Sequence, residues 1–226
     1  MLRLSFGGWD VAFSERADGD LRVSARSERA EPLEEVQLRI LGALGVSDAV
    51  VARQVHGAEV LTVAQPPGGY SVGLAQADGV ATSLPRVAAA VHVADCVPVA
   101  VGGTGAVAML HCGWRGLDGA IVSAGVARLR RLGVQGPLAA AIGPGVGGCC
   151  YETGDEVRER FAAYRASTGR LLDLKAVAKA QLQEAGVGLV EDVGVCTMCS
   201  NPVRLYSHRR DGEACGRQGG FAWLRG

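Results

Sequence analysis

The sequence predicts an α/β fold: a single layered domain over residues 1–226 in which strands of a mixed sheet alternate with helices. Two observations carry this. Apolar runs of strand length recur, bounded by proline or glycine, as in RVAAAVHVADCVPVAVGG (86–103) and GAVAMLHC (105–112). Between and after them lie segments with apolar residues at helical spacing, of which LDGAIVSAGVARLRRLG (117–133) is the best defined. Composition agrees. Hydrophobic residues make up 48% of the chain and aromatics only 5%, with 33 glycines, so small aliphatic side chains must fill a sizeable, closely layered core.

Taken in order, VAFSE (11–15) reads as a first strand and RADGDLRVSARSERAEP (16–32) as a polar segment. A helix is expected over Leu33–Leu44, stopped by Gly45. DAVVARQVHGAEVLTVA (48–64) reads as two strands broken at His56-Gly57. In the 117–133 helix Ile121, Val122, Val126, Leu129 and Leu132 share a face, and Gly133 can end it. PLAAAIGPG (137–145) is a short buried strand entering a glycine-rich loop, after which a helix is expected from near Glu152. Asp173 is a suitable N-cap for LKAVAKAQLQEAG, with Leu174, Val177, Ala178, Gln181, Leu182 and Ala185 on one side. VGLVEDVGV (187–195) returns to strand, and RQGGFAWLRG (217–226) reads as a final edge strand.

Bulk properties exclude several classes. Lys plus Arg equals Asp plus Glu at 23 each, which leaves no electrostatic footprint for nucleic acid or an anionic membrane. No apolar run reaches the ~18–20 residues needed to span a bilayer. The start, MLRLSFGGWDVAF, lacks the apolar core of a signal peptide. Seven cysteines without such a signal point to a reducing cytoplasm and to thiols kept for metal or chemistry.

Three polar residues close apolar runs: His56 in RQVHG, Cys96 in VADC and His111 in MLHCGWRG. They lie 40 and 15 residues apart, too far for a local zinc-finger spacing, but strand ends can converge in a folded sheet. Two imidazoles and a thiolate form a sound three-ligand set for Zn²⁺ with an open fourth position, and would also suit copper. The competing reading is structural: a strand-end histidine is often a hydrogen-bonded core residue, and a cysteine a small hydrophobe. Cys112 adjoins His111, and alternation lets only one of the two enter a given site. His92 is a reserve ligand with a structural role as its ordinary reading.

Arg115 in GWRG stands at a strand-to-helix transition, where an anion could be held. IGPGVGGCCYE (142–152) is glycine-rich but matches neither the P-loop nor the dinucleotide fingerprint. CTMCS (196–200) is a Cys-x-x-Cys without a second pair along the chain: Cys215 stands alone, and Cys149-Cys150 could join it only through tertiary contact. These cysteines therefore read as non-metal. The zinc deaminase pattern fails too, since His56 to Glu59 is one residue too long and Val195 replaces the proline. Near the C-terminus Tyr206, His208, Arg209 and Arg210 cluster, offering cations for phosphate and a ring for stacking.

RQVHG, ADGVAT, VADCVPV, HCGWRG, IGPGVGGCCYE, DLKAVAKAQL and YSHRRDG…GRQGG follow the order found in the laccase-domain proteins, and over residues 51–224 the chain resembles that family. These proteins were first labelled polyphenol oxidoreductases and are also described as purine nucleoside phosphorylases. The resemblance implies an α/β sandwich shared with certain toxin deamidases, and a metal site at His56, Cys96 and His111. It implies phosphorolysis of adenosine, inosine and methylthioadenosine with inorganic phosphate as co-substrate, zinc or copper as the metal, and adenosine deamination. Arg53, Arg115, Arg209 and Arg210 are then candidates for holding phosphate, and Asp78 for orienting a ribose hydroxyl or acting as general base. The rival functions are a metal-free hydrolase with Cys96 as nucleophile and His111 as base, removal of a wrong amino acid from a nucleotide-linked cell-wall precursor, and a nucleotide-binding scaffold. Two departures stand out: residues 14–36 do not carry the family's SLNLG…HVGDDP segment, and Ala178 replaces a usual asparagine.

Overall fold

The computed structural model describes residues 1–23, 31–201 and 203–226; part of the atypical 14–36 segment, residues 24–30, lies outside them. The prediction of a mixed α/β sandwich holds, with two sheets where one was expected. The first orders its strands β1 (Leu2–Phe6), β2 (Trp9–Phe13), β14 (Gln218–Leu224), β7 (Val87–Val93), β3 (Asp48–Arg53) and β5 (Tyr70–Gln76). The second runs β13 (Val187–Asp192), β10 (Leu138–Ile142), β8 (Val97–Gly103), β9 (Ala106–Cys112), β6 (Gly79–Thr82) and β4 (Val60–Val63). Both are mixed: β3 runs parallel to β5 and β7, and β10 parallel to β13, whereas β8, β9 and β6 pair antiparallel. β11 (Ser167–Thr168) and β12 (Leu171–Leu172) form a small hairpin.

Strand alternation sorts side chains into three cores. Val87, Ala89, Val91 and Val93 of β7 meet Val107 and Met109 of β9 between the sheets. Ala88 and Ala90 point the other way, with Phe221 and Trp223, onto α1 (Leu33–Leu44). On the far side Ala106, Ala108, Leu110 and Cys112 pack against helices that include α3 (Ile121–Arg131) and α5 (Leu174–Glu184). The order is helix, sheet, sheet, helix. The central strands of both sheets are thus covered on two faces and read as continuous apolar runs, whereas edge strand β1 still alternates.

α1 falls where predicted, and Gly45 closes it in the left-handed region at φ 72°. Four expectations are corrected. The C-terminal strand is not an edge: β14 lies between β2 and β7 with every residue buried, because it is apolar on both faces. The 117–133 helix is two pieces, α2 (Trp114–Asp118) and α3, parted at Gly119-Ala120, where Ala120 takes φ 63°. The helix expected near Glu152 starts later, as α4 (Asp155–Arg160), because Glu152 bridges to Leu171. The strand expected at 11–15 is β2, which spans Trp9–Phe13, and β1 precedes it. Among the described residues, no helix is long and apolar enough to cross a membrane.

Asp173 is the N-cap of α5, its carboxylate accepting from the Lys175 and Ala176 amides at 3.0 and 3.1 Å. Asp173→Ala leaves those amides unpaired and is expected to cost about 1 kcal/mol, read as a lower urea midpoint at unchanged slope.

Candidate metal centre

Two connections that cross from one sheet to the other meet at one place. β3 of the first sheet passes to β4 of the second through the loop holding His56. β7 passes to β8 through the turn holding Asp95 and Cys96. His111 is the penultimate residue of β9, and its alternation with Val107 and Met109 turns it toward the inter-sheet side. Cys112 points oppositely, under the helices, where burial pushes its thiol up and out of use. Ligand atoms of His56, Cys96 and His111 all lie within 4.8 Å of one another. The two imidazoles meet edge to face at 4.9 Å. A tetrahedral zinc would need separations of roughly 3.3–3.8 Å, so small side-chain adjustments close the set.

Two non-glycine residues here adopt left-handed backbone, His56 at φ 61° and Asp95 at φ 83°. Each such residue costs on the order of 1–3 kcal/mol and persists only where its surroundings hold it. Asp78 holds the first. One carboxylate oxygen accepts from the His56 amide and from His111 Nδ1, both at 2.8 Å. The other accepts from Val55 and Gly57 amides at 3.1 and 2.7 Å. Burial pushes the Asp78 carboxyl up, but the His111 bond and the amides outweigh it and hold it below the usual range. With Nδ1 taken by Asp78, Nε2 is the atom His111 turns toward Cys96 and would offer a metal on losing its proton, the arrangement a carboxylate imposes on metal-bound histidines. Asp95 is held in turn by Thr197 Oγ1 at 2.6 Å and the Arg209 amide at 2.7 Å.

Cys96 and His111 polarise each other. Burial raises the Cys96 thiol, yet the His111 cation and hydrogen bonds from both imidazoles bring it down to about 6. Burial lowers His111, yet Cys96 and Asp78 lift it to about 9. Sulfur is therefore a thiolate at neutral pH, the form that binds metal. Gly113 leaves room for this contact: a Cβ there would stand 3.1 Å from Cys96 Sγ and 3.4 Å from the His56 ring. His56 is exposed, Cys96 half-buried and His111 buried, so the trio fits a metal with one face open to solvent.

That face opens on a cavity of about 890 Å³, which His56, Cys96 and His111 line together with His208 and Arg209. Five residues expected at the site do not line it. Arg53 is exposed at the end of β3, Arg115 stacks on Trp114, and Tyr206 lies under Arg16. Arg210 is bonded to Asp211 and to the carbonyls of Thr197 and Leu205. Asp78 is 1% exposed, with both oxygens engaged by the 55–57 backbone and His111. His92 reaches the cavity but bonds Tyr70 at 2.8 Å; by alternation it belongs to the α1 side of β7, away from the trio. Sequence reasoning missed Tyr151, whose ring lies 5.0 Å beneath the Arg209 guanidinium, and Arg217. Arg22 and Val23 also line the cavity, so the atypical N-terminal segment does help to wall it. Ala178, the other departure, packs in the helix-side core instead.

Fold and site together define a two-sheet α/β protein with a His₂Cys donor set at the floor of an open cavity. The chain belongs to the multi-copper polyphenol oxidoreductase laccase family, whose model matches residues 17–225. Among its relatives, a purine nucleoside phosphorylase of Deinococcus radiodurans is 35% identical over 225 residues, covering 91% of this chain and 85% of that protein. A purine nucleoside phosphorylase of Streptomyces coelicolor is 38% identical over 193 residues, covering 80% and 78%. Among solved structures, the hypothetical protein YfiH of Bacillus licheniformis superposes with a TM-score of 0.85 at 26% identity, covering 96% of this chain and 93% of that one. Protein NMB0706 of Neisseria meningitidis gives 0.81 at 26% identity, covering 100% and 99%.

Proposed function

We propose that this chain is a metal-dependent purine nucleoside phosphorylase acting on adenosine, inosine and methylthioadenosine, with adenosine deamination as a side activity, and that residues 1–226 form the single domain that does so. The observation that carries it is the meeting of His56, Cys96 and His111 at the floor of a cavity whose wall holds Arg209 and Tyr151. Its relatives' names support the same reading. Zinc suits the donor set best, with copper the alternative. When bound, such an ion polarises an oxygen and acidifies water.

The rest falls to the chain. Arg209, on the cavity wall beside His208 and Arg217, supplies charge-assisted hydrogen bonds that hold phosphate for attack on the ribose. Tyr151 offers the purine a face, the role first sought in Tyr206. Asp78 fixes both histidines, and Asp95 fixes the Arg209 backbone.

The test is product identification from adenosine plus phosphate, with metal retained and with metal removed by chelator. Adenine and ribose 1-phosphate should form, with a smaller yield of inosine; chelation should abolish both and zinc restore them. Absence of product would end the reading. A second reading, a metal-free hydrolase, draws on the polarised Cys96–His111 pair. Full turnover in chelator, lost on treatment with iodoacetamide, would establish that reading. Offering the nucleotide-linked cell-wall precursor in parallel separates amide hydrolysis from both.

A further inference from the structure

Four of the cysteines outside this centre, Cys149, Cys150, Cys196 and Cys199, lie together. β10 and β13 are parallel neighbours, and their C-terminal extensions run on side by side: Gly145 bridges Cys196, and the Thr197 amide donates to the Gly145 carbonyl at 3.1 Å. The first extension then turns through Cys149-Cys150, and the second through Cys196-x-x-Cys199. The partner pair missing along the sequence is thus delivered by sheet topology.

The four sulfurs all lie within 4.8 Å of one another, and Cys149 Sγ stands 3.6 Å from Cys199 Sγ. A tetrahedral tetrathiolate zinc has sulfur–sulfur edges of about 3.8 Å, whereas a disulfide is about 2.05 Å. Backbone amides of Gly147, Met198 and Cys199 point at Cys196 Sγ, Gly147 from 3.2 Å. Such N–H···S bonds orient a thiolate ligand. Gly147 also permits the approach, since a Cβ there would press on Cys149 Sγ at 3.2 Å and on the Cys196 side chain at 3.4 Å. Cys149 and Cys199 are exposed, so an ion has a path of entry.

We propose that Cys149, Cys150, Cys196 and Cys199 form a second metal site, a structural tetrathiolate site for zinc that staples the 143–151 loop to the 195–200 loop. Each thiol releases its proton to solvent on binding, and no electron transfer is involved. The staple bears on the catalytic cavity from both loops. Tyr151, which lines the cavity, follows Cys150 directly. Thr197, between the two knuckle cysteines, bonds Asp95 and accepts from Arg210 at 2.9 Å.

The experiment strips metal from the full-length reduced protein and reloads it with zinc or cobalt(II) alone. Wild type should take up about two ions per chain, against about one for either His111→Ala or the Cys196→Ser/Cys199→Ser double variant. His111→Ala loaded with cobalt should show sulfur-to-cobalt charge transfer, and zinc should slow its reaction with a thiol reagent at four cysteines. That protection is read without removing any of the four, so it stands even if the double variant misfolds. The site is overturned if His111→Ala binds no ion tightly, if the double variant loads as fully as wild type, or if zinc leaves thiol reactivity unchanged. A Cys149–Cys199 disulfide that persists under reduction and blocks loading would overturn it equally.

Discussion

Cys96→Ala is expected to reduce metal retention at the catalytic centre and phosphorolysis together, each by more than about 100-fold. Loss of a residue that only orients a metal ligand commonly costs 10–100-fold, and here a proposed ligand atom itself is removed. Its sulfur is the one anionic donor of the trio, and it is held as thiolate by both imidazoles. Without it, two neutral nitrogens remain, and His111 loses the first of the charges that lift it to about 9. Excess zinc distinguishes the roles of that sulfur. If Cys96 serves as a ligand, raising free zinc should recover part of the activity, because mass action offsets a weakened site. If it is the nucleophile of a hydrolase, no zinc concentration recovers any. The measurement is initial rate against free zinc, beside metal content after gel filtration.

The trio was legible because each member stands at or just beyond the end of an apolar strand, and strands of a covered sheet end at its rim. What the sequence could not supply was that the rim joins two sheets. β3–β4 and β7–β8 both cross between them, which brings residues 40 positions apart within bonding reach. Alternation correctly separated His111 from Cys112, and the N-cap at Asp173 and the stop at Gly45 were also readable, since caps depend on local chemistry. Side chains on loops were not. Arg210 and Tyr206 looked like ligand-binding groups in a basic string, yet their neighbours in space, Asp211, Thr197 and Arg16, engage them. Tyr151 gave no signal beyond its place after Cys-Cys. Its place at the cavity shows only in space, where its ring lies 5.0 Å from Arg209, 58 positions along the chain. The second cysteine pair was hidden for the same reason: Cys149-Cys150 come beside Cys196 and Cys199 through parallel pairing of β10 with β13, which spacing along one chain does not encode.

Asp78→Asn is expected to weaken metal binding by about 10–100-fold and to destabilise the fold, although Asp78 is not itself one of the three ligands and does not line the cavity. Four donors converge on its two carboxylate oxygens. An asparagine supplies one oxygen and one NH₂ group, so whichever way it turns, part of this set faces a donor. Each buried N–H left unpaired costs roughly 1–3 kcal/mol, and the left-handed turn at His56 loses what holds it. The His111 ring is then free to rotate or to change tautomer, which misaims Nε2. Thermal unfolding without metal should therefore fall first, by several degrees or more. Zinc affinity should fall independently of that loss, measured well below the unfolding transition. A purely structural role for Asp78 would lower stability and leave zinc affinity of the folded fraction unchanged; a direct role on substrate would lower kcat at saturating zinc. Weaker zinc binding with kcat recovered at saturation is the outcome that assigns Asp78 to positioning the two imidazoles.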